Sequence, residues 1–210
     1  MLDQFKYDSV NNKIYYSGQC WQPKSRTWIR DEDIPNNAEY VEDHKAILLA
    51  LEMGTVSLPI GVIGPKVNAT DEQLFFAEEV GRAVAEMGLP LLTGGKTGVM
   101  EASSRGAFNA NGLTIGILPD ECWSAANAYI TIPIVTGLGP ARNAIIGRTC
   151  PVLIAIGGSY GTLTEMAFGM HFDRCVLALS DAPEVEGVVK FNTVNDALYA
   201  AVRAWFGLHL

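Results

Sequence analysis

From Leu58 onward, short apolar runs alternate with stretches of helical period. Pro59 to Gly64, Leu89 to Thr93, Leu113 to Leu118, Ile132 to Val135, Val152 to Ile156 and Cys175 to Leu179 are each of strand length and nearly continuous in apolar character. Helical segments separate them. Thr70 opens one as its cap, with Gln73 returning the bond three residues on, and Gly88 ends it after Met87. A second spans Gly98 to Ala110. Pro140 marks the start of a third, where its missing N–H costs nothing, and a fourth opens at Thr162. Thr193 to Phe206 forms a closing amphipathic helix. Strands apolar on both faces and separated by helices predict an α/β fold: a Rossmann-like, doubly wound parallel sheet with helices on both faces.

Residues 1–57 have a different texture, polar and aromatic, and form a small amino-terminal β/helix extension to the domain at 58–210. Asn11-Asn12 makes a turn before a strand at Lys13 to Tyr16, and Trp28-Ile29-Arg30 is expected to pair back on it. Val41, Ile47, Leu48 and Leu51 recur near helical spacing, which predicts a helix from about Ala38 to Met53, ended by Gly54.

Composition narrows the function classes. The chain has 210 residues, 49% of them hydrophobic, enough for one compact domain with an appendage. Its net charge is −8 and it contains no Lys/Arg-rich run, so no nucleic-acid partner is expected. A small anion stays open as a ligand, because backbone N–H groups bind it without net positive charge. Cys20, Cys122, Cys150 and Cys175 lie far apart, and His44, His171 and His209 show no ligand spacing; reduced thiols and no metal site are expected. The first six residues lack the apolar core of a signal peptide, and no apolar stretch approaches the ~20 residues of a membrane span. The expectation is a cytoplasmic protein without a membrane partner.

The chemistry gathers where a parallel sheet binds ligands, beyond the carboxyl ends of its strands. Gly94-Gly95 follows the second strand, Gly137 and Gly139 the fourth, and Gly157-Gly158 with Gly161 the fifth, which predicts one shared pocket. The turn Gly157-Gly158-Ser159-Tyr160-Gly161-Thr162 leads into a helix whose N-terminus carries unpaired N–H groups and a partial positive charge, a ready phosphate site. Glu165 sits in that helix's first turn. Arg142 falls at the start of another helix, where a cation is unfavourable unless it meets an anion or a carboxylate such as Glu165. Gly95-Lys96-Thr97 invites comparison with a nucleotide-binding P-loop, but Pro90 stands where that motif needs glycine. The G-x-G-x-x-G dinucleotide fingerprint is likewise absent after the first strand, at Gly64 to Ala69.

Three motifs together resemble the LOG-like proteins: Gly94-Gly95-x-x-Gly98-x-Met100, Ala141-Arg142-Asn143, and Gly157-Gly158-Ser159-Tyr160-Gly161-Thr162-Leu163-Thr164-Glu165. The resemblance covers roughly residues 58–180 and includes cytokinin riboside 5′-monophosphate phosphoribohydrolases, many once misnamed lysine decarboxylases. No lysine here sits in a recognisable pyridoxal site. In the hydrolase branch the last motif is P-G-G-x-G-T-x-x-E with a catalytic Arg–Glu pair, which implies Arg142 and Glu165 as catalytic. Gly94, Gly95, Gly98, Met100, Asn143 and the turn from Gly157 to Thr162 are implied as ligand- and phosphate-binding. Gly157 replaces the Pro of that pattern, Ser159 its second Gly, Asn143 the usual Lys and Thr164 the first of two adjacent glutamates. The Ala-Arg-Asn form is closer to a sister branch that includes molybdenum cofactor carrier proteins. The resemblance thus implies a phosphorylated, nucleotide-like ligand and hydrolysis of a nucleoside 5′-monophosphate to base and ribose 5-phosphate. The alternative is a non-enzymatic carrier, with the molybdenum cofactor as bound cargo and no cofactor required. It also implies a homodimer or higher homo-oligomer, as do the apolar positions from Leu163 to Phe172.

Overall fold

The computed structural model describes residues 4–31 and 33–208. His209 and the first three residues of the amino-terminal segment lie outside the described residues. The chain divides into one unit of residues 1–57 with 202–210, and a second of residues 58–201.

The first unit is built on an antiparallel sheet of β1 (Lys6–Asp8), β2 (Lys13–Tyr16), β3 (Gln19–Gln22), β4 (Thr27–Arg30) and β5 (Glu39–Tyr40), in the order β4-β3-β2-β1-β5. The expected pairing of Lys13–Tyr16 with Trp28–Arg30 does not form. β3 lies between them, because Ser17 and Gly18 both take positive φ (47° and 74°) and turn the chain back after only two residues. Such a turn matches the twist of paired strands. The expected helix also starts late, as α1 (Asp43–Glu52), since Glu39 and Tyr40 pair with Tyr7 and Lys6 instead. Aromatic rings fill the interior: Phe5 and Trp21 each lie 5.0 Å from the Phe206 ring. Trp21 donates from Nε1 to Thr55 Oγ1 at 3.0 Å, and Trp28 to the Phe206 carbonyl at 3.0 Å, so the indole N–H groups find partners.

The second unit alternates strand and helix: β6 (Ile60–Ile63), α2 (Asp71–Glu86), β7 (Leu91–Thr93), α3 (Val99–Asn109), β8 (Thr114–Leu118), β9 (Ile132–Val135), α4 (Asn143–Thr149), β10 (Val152–Ile156), α5 (Tyr160–His171), β11 (Cys175–Leu179), β12 (Val189–Phe191) and α6 (Val194–Trp205), whose last turn belongs to the first unit. All seven strands run parallel, in the order β12-β11-β10-β6-β7-β8-β9. The chain steps outward from β6 to β9, then returns to lay β10 on the other side of β6. That reversal between β6 and β10 is the switch point at which doubly wound sheets open a crevice. β6 and β10 are buried along their whole length. Ile63, Leu153 and Ala155 join Ile146 of α4 and Met166 of α5 in one core cluster. Period-2 alternation sends Val62, Ile154 and Ile156 to the opposite face. β12 is the strand that apolar patterning misses, because Val189-Lys190-Phe191 is short and lies at a sheet edge.

Helices α2 and α3 touch backbone to backbone. A Cβ on Gly81 would lie 2.0 Å from the Ser103 carbonyl oxygen, and one on Gly106 2.0 Å from that of Glu78. Gly106→Ala should therefore destabilise the fold by about 2–3 kcal/mol or more despite its better helix propensity, read as a lowered urea midpoint. An unchanged midpoint would contradict this close crossing.

Candidate functional site

The glycine-rich turn follows β10, beside the switch point. Gly157 takes φ +58°, and a Cβ there would fall 2.3 Å from Gln73 Nε2, so both backbone and space demand glycine. Gln73 holds this wall. Its Oε1 accepts from the Thr70 N–H at 3.0 Å in the capping box of α2, and its Nε2 donates to Asp181 Oδ1 in the loop after β11. The sequence shows Gln73 only as a capping residue; its bond across 108 positions to Asp181 has no sequence signal. Gly158 packs against Pro183, where a Cβ would come within 2.7 Å of Cδ.

Helix α5 begins at Tyr160, two residues earlier than the pattern predicts, because Ser159 is extended (φ −139°) and serves as N-cap. This places Glu165 in the second turn and not in the first as expected. The Ser159 side chain makes no capping bond. The first N–H groups of α5 are thus left uncapped by Ser159, and the helix dipole adds to their pull on an anion. Thr162, 1% exposed, has a buried hydroxyl with no partner among the described residues. Gly161 differs from its neighbours: its φ is ordinary, and a Cβ there would meet nothing within 4 Å. Neither packing nor backbone requires glycine at that position.

Arg142 reaches the same place from the other side. Pro140 lies in a 3-10 turn, Gly139–Arg142, ahead of α4, so Arg142 is the residue before that helix rather than part of its first turn. Its Nη1 donates to Glu165 Oε1 at 2.6 Å, and both side chains are under a tenth exposed. Its Nε is buried without a partner. Burial pushes the Glu165 carboxyl up to about 7, and the Arg142 guanidinium opposes this without cancelling it. Gly94 makes the room: a Cβ there would sit 2.2 Å from Arg142 Nη2 and 2.7 Å from Met100 Sδ. Met100 is buried in the first turn of α3, on the same side of Gly94 as the guanidinium.

The remaining predicted residues brace this centre. Gly95 (φ +71°) and Gly98 (φ +68°) take glycine conformations, and Gly98 abuts the Pro65 carbonyl after β6. Asn143 turns its amide away to α5, donating to Thr164 Oγ1 at 2.7 Å and to the Gly161 carbonyl at 3.3 Å. Asn143 and Thr164, two of the departures from the hydrolase pattern, therefore touch each other. Lys96, the lysine of the P-loop-like string, donates to Asp120 Oδ2 at 2.9 Å and to the Ala125 carbonyl at 3.0 Å. Among the described residues no group of three or more His, Cys, Asp or Glu could hold a metal ion, and no helix is long and apolar enough to cross a membrane.

A parallel sheet with its reversal at β6 and β10, and a glycine-lined helix start beside a buried Arg–Glu pair, define a Rossmann-like α/β protein of the LOG-like class. The chain belongs to the SLOG cluster4 family, whose model matches residues 57–203. An uncharacterised protein of Archaeoglobus fulgidus is 39% identical over 145 residues, covering 67% of this chain and 92% of the relative. Among solved structures, the molybdenum cofactor binding protein of the phototrophic bacterium Rippkaea orientalis is 35% identical, with a TM-score of 0.66, over 70% of this chain and 96% of its own. The Moco carrier protein of Chlamydomonas reinhardtii is 33% identical, with a TM-score of 0.66, over 73% and 100%.

The buried pair makes stability pH-dependent. Glu165 rises from 4.5 in the unfolded chain to about 7, so the folded state holds the proton more tightly. Its contribution is complete below about 4.5 and is lost as pH rises through about 7. Glu165→Gln should flatten that fall in urea titrations between pH 5 and about 8. Arg142→Ala, which strands the carboxylate, should cost about 3 kcal/mol above pH 8 and much less at pH 5. An equal loss at both would contradict the assignment.

Proposed function

We propose that this protein binds a phosphorylated heterocyclic small molecule at the start of α5, and that the molybdenum cofactor is that ligand, held as cargo rather than turned over. The observation that carries the reading is the vacant ground around Gly161. A glycine that the protein's own packing does not need stands in the same first turn as a buried, partnerless Thr162 hydroxyl. Buried polar groups are normally satisfied, and a Thr162 hydroxyl without a partner among the described residues marks this turn as incomplete by itself. A phosphate over Gly161 would complete the turn by accepting from the first N–H groups of α5. Arg142 Nε is a second buried donor without a partner. Similarity to the molybdenum cofactor binding and carrier proteins supports a pterin phosphate as the particular ligand.

The second reading, cleavage of a nucleoside 5′-monophosphate, draws on the 2.6 Å Arg142–Glu165 contact and on a carboxyl that titrates near neutrality. Carboxylates of that kind suit acid–base work at a glycosidic bond. Against it, the Lys and Glu positions of the hydrolase pattern are here the neutral, mutually bonded Asn143 and Thr164. Arg142 orients Glu165 in either case.

Two measurements test the proposal. Purified protein mixed with AMP and related monophosphates should release no free base, whereas molybdenum and pterin should co-purify with it from cells that make the cofactor. Base release abolished by Glu165→Ala would establish the hydrolase instead. Gly161→Val should fold with little change in thermal stability, since its side chain enters open space, yet weaken binding of a pterin phosphate by at least about tenfold. Copies of the chain are proposed to associate through α4 and α5, where Ile145 and Leu163 are each 37% exposed. Sedimentation should show a dimer or larger species that Leu163→Glu dissociates.

A further inference from the structure

One tryptophan of the parallel-sheet unit is largely exposed. Trp123 is 69% exposed, whereas Trp21, Trp28 and Trp205 belong to the antiparallel unit, with Trp21 and Trp205 each 1% exposed. It opens a single 3-10 turn, Trp123–Ala125, in the connection from β8 to β9. That turn is clamped on both flanks. Lys96 Nζ bonds Asp120 before it at 2.9 Å and the Ala125 carbonyl at its end at 3.0 Å. Asn127 adds two more bonds, from its N–H to the Gly95 carbonyl at 2.9 Å and from Nδ2 to the Lys96 carbonyl at 2.8 Å.

These ties run to the two segments that flank Arg142, the loop after β7 and the turn before α4. Gly95 and Lys96 adjoin Gly94, on which the guanidinium rests. From the other direction, the Gly137 N–H donates to the Asp120 carbonyl and the Gly139 N–H to that of Pro119, each at 3.0 Å, just before the turn that delivers Arg142. An exposed indole on a loose loop would be unremarkable surface. Here the loop is already ordered, so a ligand that stacks on the indole need not order the backbone that carries it.

We infer that Trp123 is a specificity-determining residue, whose indole stacks on the planar fused-ring heterocycle of the ligand while the start of α5 takes its phosphate. The inference rests on the proposed binding of a phosphorylated heterocycle, and it explains how this site separates such a ligand from a plain sugar phosphate. Stacking depends on the π-face more than on hydrogen-bond pattern, so the ring class is selected rather than one substituent. Lys96 acts as the positioning residue for that indole.

The test is calorimetric titration of the full chain with neopterin monophosphate, GMP and ribose 5-phosphate, read alongside tryptophan emission. The intact protein should bind a ring-bearing phosphate more tightly than ribose 5-phosphate. Trp123→Ala should weaken the ring-bearing ligand about tenfold and leave ribose 5-phosphate unchanged, with Trp123→Phe restoring most of the affinity. The ligand-induced change in emission should vanish in Trp123→Phe. Equal weakening of both ligand types, or of neither, overturns the inference while leaving the binding proposal standing. So does a change in sedimentation of Trp123→Ala with ring affinity intact, which would make Trp123 a contact between copies. No binding of either ring-bearing phosphate by the intact protein overturns both readings together.

Discussion

A guanidinium and a carboxylate share one buried place between the start of α4 and the start of α5, and much of the second unit's switch-point architecture is arranged around that pairing. Two opposite charges removed from water are tolerable only if they face each other at hydrogen-bond distance, and Arg142 and Glu165 do so at 2.6 Å. The contact dictates what stands beside it. Gly94 can have no Cβ, and the turn Gly139–Arg142 must bring the arginine in before α4 begins. Removing either charge leaves the other stranded, which is why the pair couples the two helix starts so firmly.

Around that centre the structure replaces charge with neutral hydrogen bonds. Asn143 and Thr164 join α4 to the first turn of α5 through an amide and a hydroxyl, and both bond the Gly161 carbonyl. On the far wall the Gln73 amide joins the cap of α2 to the Asp181 carboxylate in the loop after β11, behind Gly157. The glycine turn is thus held from behind by amides, while its outer surface, Gly158 to Gly161, stays exposed. A site built this way presents backbone donors to a ligand in a fixed geometry and spends few side chains on it.

The parts of the fold that local patterning makes legible are those whose physics is local. β6 and β10 are continuous apolar runs because both faces are covered, and the capping box at Thr70 and Gln73 is spelled out within four residues. Where a local signal was weak or had a rival, expectation and structure diverge. Glu39 and Tyr40 fit a helix as well as a strand, and β1 decided for the strand. The segment Gln19–Gln22 is too mixed in polarity to stand out, yet it separates the two strands that were expected to pair. β12 has the same weakness at the opposite edge of the molecule's other sheet.

The sequence by itself determined the fold class, the family resemblance and the positions of the glycines, because each is carried by residue type at short spacing. Only the tertiary structure decided what those glycines are for. Gly94 makes room for Arg142, Gly157 for Gln73, and Gly98 for the Pro65 carbonyl, whereas Gly161 makes room for nothing within the protein. Spacing cannot distinguish these cases, since the neighbour that fills or spares each missing side chain arrives from a distant part of the chain. The Asn143–Thr164 bond and the Lys96 clamp on the Trp123 turn belong to the same category: contacts over twenty or more positions, set by the order in which parallel strands are laid down.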